Sequence, residues 1–196
     1  MRRSRIARAA VAALLGCASV ANADIIFSNI VIGGSLSAGA GAATGPFDID
    51  FTLPSAVVGD PTDPVRTGTV TINYDAQSDN AIAQNTILLG VLGSLAGSGE
   101  IQYSQTVDDL VNPGVISNIA VTLSSNSDLP YTDTIVWDRP STQVHVSAIV
   151  DLSALSTAEF DLANVSLIEQ RFVPEPSALA LLTLGAVAAL RRRPAR

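Results

Sequence analysis

Between Asp24 and Val173 the dominant spacing of apolar residues is two, and that period fixes the kind of element this chain can build. Phe47-Asp48-Ile49-Asp50-Phe51-Thr52-Leu53 alternates strictly, with Phe47, Ile49, Phe51 and Leu53 on one face and Asp48, Asp50 and Thr52 on the other. A period of two puts one face on a core and the other in water, as in a half-buried antiparallel strand. Val70, Ile72 and Tyr74 repeat the pattern, as do Ile119, Val121 and Leu123, and Val144, Val146, Ala148 and Val150. Less regular strands are expected over 25–32, 86–92, 100–107, 131–137 and 160–172. Turn residues separate them: Gly59 to Pro64, Asn112-Pro113-Gly114, Ser124 to Pro130, and Asp138-Arg139-Pro140. Short strands with this punctuation predict an all-β fold, an antiparallel β-sandwich or jelly roll. Ser156-Thr157-Ala158-Glu159 could cap one helical turn before the last strand. Gly33 to Gly45 and Gly90 to Gly99 are nearly all small residues and read as mobile loops or crossovers. Neither has the strand-loop-helix setting of a phosphate cradle.

Charge divides the chain into three. The basic residues are all arginine, at 2, 3, 5, 8, 66, 139, 171, 191, 192, 193 and 196. The segment 24–173 therefore carries 17 acidic residues against three arginines, a formal charge of -14, while the whole chain sums to -7. Nucleic acid is excluded as a partner, because phosphate binding needs clustered cations along a face.

The ends read as addresses. Residues 1–23 place four arginines before an apolar run from Ala9 to Val20, followed by Ala21-Asn22-Ala23. Small residues at Ala21 and Ala23 suit a signal peptidase, so a secretory signal peptide is expected with the mature chain starting at Asp24. Leu14-Leu15-Gly16-Cys17 offers a second reading, a lipobox with acylation of Cys17. At the other end a rigid hinge, Val173-Pro174-Glu175-Pro176-Ser177, precedes an apolar helix expected over residues 178–190 and the cationic stop Arg191-Arg192-Arg193. Thirteen helical residues span ~20 Å, against a hydrocarbon core of ~30 Å. A transmembrane helix here is marginal in length, and only a weak or transient span of the inner membrane is expected. By the positive-inside rule both arginine clusters stay in the cytoplasm and the acidic middle is translocated.

The order of hinge, short Ala/Leu-rich helix and terminal arginines resembles the PEP-CTERM sorting signal of exported bacterial proteins. The resemblance covers residues 174–196 and the signal peptide expected at the other end. It implies recognition by an exosortase, a membrane-embedded transpeptidase-like enzyme, with cleavage near Pro174 to Pro176. It also implies a place in the envelope or extracellular matrix of a Gram-negative bacterium that makes exopolysaccharide, often in connection with biofilm.

The chemistry available between the ends is narrow. Residues 24–173 hold one histidine, His145, and no cysteine, lysine or methionine. No thiol nucleophile, thiolate zinc site or Schiff base can form, and no Gly-x-Ser-x-Gly elbow occurs. His145 falls on the polar side of its strand and is expected to face solvent, while Tyr131 and Trp137 share one face of theirs and are expected in the core. Aspartates gather in pairs at Asp60 and Asp63, Asp75 and Asp79, and Asp108 and Asp109. Such pairs suit turns or, as hard oxygen donors, Ca²⁺, although no complete Asp-x-Asp-x-Asp-Gly loop is present. The expectation is a non-enzymatic envelope or matrix protein with no cofactor and no committed metal site. A carbohydrate- or calcium-binding β-sandwich is the alternative.

Overall fold

A computed structural model describes residues 24–59, 65–90, 92–155 and 161–175. The signal-peptide segment with Ala21 and Ala23, the pair Asp60 and Asp63, the expected cap at 156–159 and the helix with its arginines lie outside the described residues. Asp24 is the first residue within them. Among the described residues no helix is long and apolar enough to cross a membrane.

The described residues form eleven strands: β1 (Ile25–Gly33), β2 (Gly41–Thr44), β3 (Asp48–Thr52), β4 (Val57–Val58), β5 (Thr67–Leu89), β6 (Ser94–Ala96), β7 (Gly99–Asp109), β8 (Gly114–Leu123), β9 (Tyr131–Ala154), β10 (Leu162–Asn164) and β11 (Leu167–Pro174). A single 3-10 turn, Asn126–Asp128, fills the turn expected before Pro130. All pairs are antiparallel. The main ladder runs β2-β3-β11-β5-β9-β7-β8, with β1 added on β5, and β4-β10-β6 form a small separate sheet.

Two long strands turn this ladder into a sandwich. Over Thr67–Gln77, β5 pairs with β1 on one side and with β9 on the other, and β9 carries β7 and β8 beyond it. Over Ile82–Leu89, the same β5 pairs with β11 and with the first half of β9, and β11 carries β3 and β2. The register shifts between Gln77 and Ile82 and again before Gln84, opposite Val136 to Ser141 of β9. Inward positions switch there from Val70, Ile72, Tyr74 and Ala76 to Asn85, Ile87 and Leu89. Paired bulges bend both strands together, so each contributes a face to both layers. The turn expected at Asp138-Arg139-Pro140 is thus a bend inside β9. Pro140 has no N–H to give a ladder, and it falls among the residues that skip their partners on β5.

Three further expectations need correction. The glycine-rich stretch 33–45 is not all loop, because Gly41–Thr44 pairs with β3. Its remainder is pinned: Leu36 N–H donates to Thr69 O, Thr69 N–H donates to Ser35 Oγ, and Leu36 lies so close over Gly68 that a Cβ there would meet it at 2.4 Å. In the second stretch Ser94–Ala96 forms β6. The last expected strand, 160–172, divides into β10 and β11.

The core is aromatic at its centre. Tyr74 of β5 lies 5.5 Å from Phe51 of β3 and 6.2 Å from Phe172 of β11, and Phe172 also meets Phe27 and Trp137. Through this core runs a buried hydrogen-bond chain. Trp137 Nε1 donates to Asn85 Oδ1, Asn85 Nδ2 and Tyr74 Oη donate to Gln170 Oε1, Gln170 Nε2 donates to Tyr103 Oη, and Tyr103 Oη donates to Gln105 Oε1. Burial pushes both phenols above the ordinary tyrosine range, so they remain donors.

The bend of β9 is held by Asp109. Its buried carboxylate accepts Arg139 Nε at 2.9 Å, Ser141 Oγ at 2.7 Å, and the backbone N–H groups of Val111 and Asn112 at 2.9 and 3.0 Å. Burial alone would raise this carboxyl. Hydrogen bonds from Ser141, Asn112, Arg139 and Val111 outweigh that and hold it far below the ordinary carboxylate range. A depressed folded pKa contributes stability that is complete above the unfolded value of ~3.9 and is lost as pH falls through the folded value. The urea midpoint of the 24–175 segment should therefore be level from pH 7 to about 5 and fall steadily below about 4.

Candidate functional site

The sorting hinge grows directly out of the sandwich. Alternation places Ile168, Gln170 and Phe172 of β11 inward, and β11 is paired on both edges, by β3 and β5. Phe172 N–H donates to Phe47 O at 2.7 Å, Val173 pairs with Gln84, Pro174 pairs with Ile82, and Glu175 N–H donates to Ala81 O at 2.7 Å. Of the expected motif residues, Val173, Pro174 and Glu175 therefore lie on the sheet. Pro176, Ser177 and Arg191 to Arg193 lie outside the described residues. Asp24–Glu175 forms one compact unit.

The outer faces of the two layers carry the remaining polar groups. On the face of β5, β9 and β7, His145 stands in register between Asp75 and Asp108. His145 Nδ1 lies 2.6 Å from Asp75 Oδ1, and Asn29 Nδ2 donates to Asp75 Oδ2 at 2.6 Å. Asn29 reaches that carboxylate from a bulge in β1, with a left-handed φ of 53°. Burial pushes the Asp75 carboxyl up, but the hydrogen bonds from Asn29 and His145 and the charge of His145 lower it overall. His145 is thus partly exposed, as expected, and paired rather than free. An Asp-His dyad fixes a tautomer and orients a base. Among the described residues no hydroxyl is hydrogen-bonded to this imidazole to serve as a nucleophile.

Farther along the same face, Ser35, Thr69, Glu100, Gln102, Asp151 and Ser153 line an open cleft of about 370 Å³. The pinned loop before β2 supplies Ser35, and cross-strand register brings Thr69 to Asp151 and Asp151 to Gln102. Gln102 Nε2 donates to Glu100 Oε1 at 2.6 Å, and Thr69 Oγ1 donates to Asp151 Oδ1. This lining is rich in acceptors and has neither a cation nor an aromatic ring. It suits hydroxyl-rich neutral groups or a cation, and its carboxylates disfavour anions.

The second layer gathers carboxylates. Asp48 and Asp50 of β3 stand beside Glu169 of β11, with one oxygen of each within 4.8 Å of the others. Asp50 Oδ1 is buried and has no hydrogen-bond partner. Burial, then the charge of Asp48, raises the Asp50 carboxyl above its ordinary value. Three hard oxygens at this spacing suit Ca²⁺ better than any softer metal. The polar alternation of β3 marked Asp48 and Asp50 in the sequence, while Glu169 joins them only through the register of β11. The pair Asp108 and Asp109 is not a metal site, because Asp109 is consumed by the bend of β9. Trp137 is buried, as its strand face predicted, and Tyr131 is half-buried with its hydroxyl on Asp133.

The comparisons with solved structures return loose likenesses. The TmCBM61 structure in complex with beta-1,4-galactotriose has 8% identity, covers 76% of this chain and 90% of its own, and gives a TM-score of 0.41. The exo-beta-1,3-galactanase from Phanerochaete chrysosporium, solved with galactose, has 14% identity, covers 76% and 29%, and gives 0.30. The Family 11 Carbohydrate-Binding Module of cellulosomal cellulase Lic26A-Cel5E of Clostridium thermocellum has 8% identity, covers 78% and 88%, and gives 0.24. Overlaps of this size assign no ligand. No curated protein matches the chain. Residues 172–193 match the PEP-CTERM protein-sorting motif. The chain thus carries that motif where the hinge, apolar run and arginines predicted it, joined without a linker to the last strand of an acidic antiparallel β fold, and the motif implies an exported protein.

Proposed function

We propose that this chain is an exported, non-enzymatic protein of the cell envelope or extracellular matrix of a Gram-negative bacterium, sorted by exosortase and working through its acidic sandwich. The observation that carries this reading is the sorting motif over residues 172–193, set against the end of β11. A structural or adhesive role linked to exopolysaccharide follows from the kind of protein that bears this signal. The supply of side chains supports it: among the described residues no hydroxyl is hydrogen-bonded to the Asp75–His145 pair, and the most abundant ionisable groups are carboxylates. The decisive comparison is between the full chain and a chain ending at Glu175, which keeps every described strand. Expressed in a bacterium with exosortase, the shortened protein should be released to the medium or left unsorted. Identical fractionation of the two would contradict the reading.

A second reading, a carbohydrate- or calcium-binding module, is favoured by the orphaned Asp50 oxygen beside Asp48 and Glu169 and by the cation-free cleft on the other face. Calorimetry of the 24–175 segment with Ca²⁺, and with neutral galacto- and gluco-oligosaccharides, tests it. If calcium binds through this cluster, Asp50→Asn should weaken the affinity at least tenfold. Heat from neither class of ligand would dismiss the module reading.

A further inference from the structure

A strand at the edge of a sheet leaves half its backbone N–H and C=O groups without a strand partner, and folded proteins guard such edges with charge, bulges or brevity. Among the described residues the other edges of the large sheet are guarded in these ways. β2 has four residues. β1 breaks register between Ser28 and Val31, where Asn29 takes its left-handed φ. The free side of β9 over Tyr131–Val136 carries Asp133. β8 differs from all of these. It ends the ladder beyond β7, and Ser117–Leu123 pairs without a break with Val107 to Ile101. No charged side chain occurs from Leu110 to Ser127. In a segment of formal charge -14, this is a strip along which a second acidic chain can approach closely.

The order of residues along β8 says which chain that is. Alternation turns Ile119 and Val121 toward the core, where they are only half-buried, and leaves Asn118, Ala120 and Thr122 exposed on the outer face. These positions mirror one another about Ala120, Asn118 answering Thr122 and Ile119 answering Val121. Two copies laid antiparallel across a two-fold axis at Ala120 set apolar against apolar on the inner face and amide against hydroxyl on the outer. We propose that the protein is a homodimer joined through β8, with the large sheet running unbroken from one copy into the other. Pairing satisfies the edge groups of Ser117–Leu123 and covers Ile119 and Val121. It uses the same edge in both copies, so assembly stops at two. The carboxylates elsewhere on two such copies repel, and salt screens them with a Debye length of ~8 Å at physiological ionic strength. The dimer should therefore tighten as salt is raised, opposite to an association built on ion pairs.

The test is sedimentation velocity of the 24–175 segment, which is one compact unit, over about 1–100 μM and at two salt concentrations. The monomer should give way to a species of twice its mass, and at lower protein concentration in the higher salt. Ala120→Glu sets two carboxylates opposite each other on the exposed face and should weaken the dimer at least about tenfold, with the urea midpoint of folding unchanged. Ala120→Cys gives a second readout, because residues 24–175 hold no cysteine. A short bis-maleimide should link the Ala120→Cys variant into a dimer and leave a Thr132→Cys variant, altered on the free side of β9, largely single. If Ala120→Glu also lowered the urea midpoint, the cross-link would decide alone. A segment that stays monomeric throughout overturns the proposal. So does a dimer that a folded Ala120→Glu variant leaves intact, one linked better through Thr132→Cys, or a series of larger species growing with concentration.

Discussion

Replacing Gln170 by leucine should lower the stability of the 24–175 segment by about 3–5 kcal/mol, although leucine has nearly the same volume and is the more apolar residue. Gln170 Oε1 accepts from Tyr74 and Asn85, and Gln170 Nε2 donates to Tyr103, all in a core that water does not reach. Leucine leaves the Tyr74 hydroxyl and the Asn85 amide without their acceptor, and each buried orphan costs ~1–3 kcal/mol. For a segment of this length that is a fall of roughly 10–15 °C in Tm. Gln170→Ala adds a cavity and should be worse by about 1–2 kcal/mol. The network itself is tested by adding Tyr74→Phe to Gln170→Leu. Removing both partners should recover part of the loss, a non-additivity that a simple packing defect would not produce. Urea titrations of the single and double variants read it directly.

Asp109→Ala should cost about 3–4 kcal/mol by a different route. The carboxylate accepts four hydrogen bonds, and its loss leaves the N–H groups of Val111 and Asn112 and Arg139 Nε without their acceptor, while the Ser141 hydroxyl keeps only Gln143 O. Arg139 is partly exposed and can turn to water, so the estimate rests on the two part-buried amides and the buried carboxylate they surround rather than on the ion pair. Asp109→Asn keeps the size but offers one carbonyl where two oxygens stood, and about half the loss is expected. Both variants should also flatten the fall in stability below pH 4, because the group that titrates there is gone. A variant as acid-sensitive as the native protein would place that sensitivity elsewhere.

How far the sequence disclosed this arrangement depends on whether a feature is local. The sorting motif could be read whole, since hinge, apolar run and arginines are contiguous. Strand positions such as Phe51, Tyr74 and Val146 could be read from alternation, because a half-buried strand stamps its period on its own residues. Continuity could not. Gln77 to Ile82 and Asp138 to Pro140 break the period and look like turns, yet the bulges match each other across two strands about sixty residues apart and make one bend. Gly41 to Thr44 had no apolar period to reveal β2, which exists because β3 offers it an edge. The carboxylate cluster was missed: Asp48 and Asp50 stood on the polar face of their strand but outside the aspartate pairs read as possible calcium donors, and Glu169 joins them only through the register of β11. Asp75 and Asn29 could not be tied to His145 from spacing, because three strands carry them.

The same division of local from distant features shapes the charge. With residues 1–23 removed and the chain ended at Glu175, 18 acidic residues would stand against the three arginines 66, 139 and 171, a formal charge of -15. Such a protein repels anionic polymers unless a cation bridges them. The central claim is that this acidic sandwich is the working molecule and that both ends are addresses. Intact mass of the protein recovered from the envelope or medium tests it most directly. The account predicts a species lacking the first 23 residues and the terminal arginine run, and recovery of the full 20.2 kDa chain would contradict it.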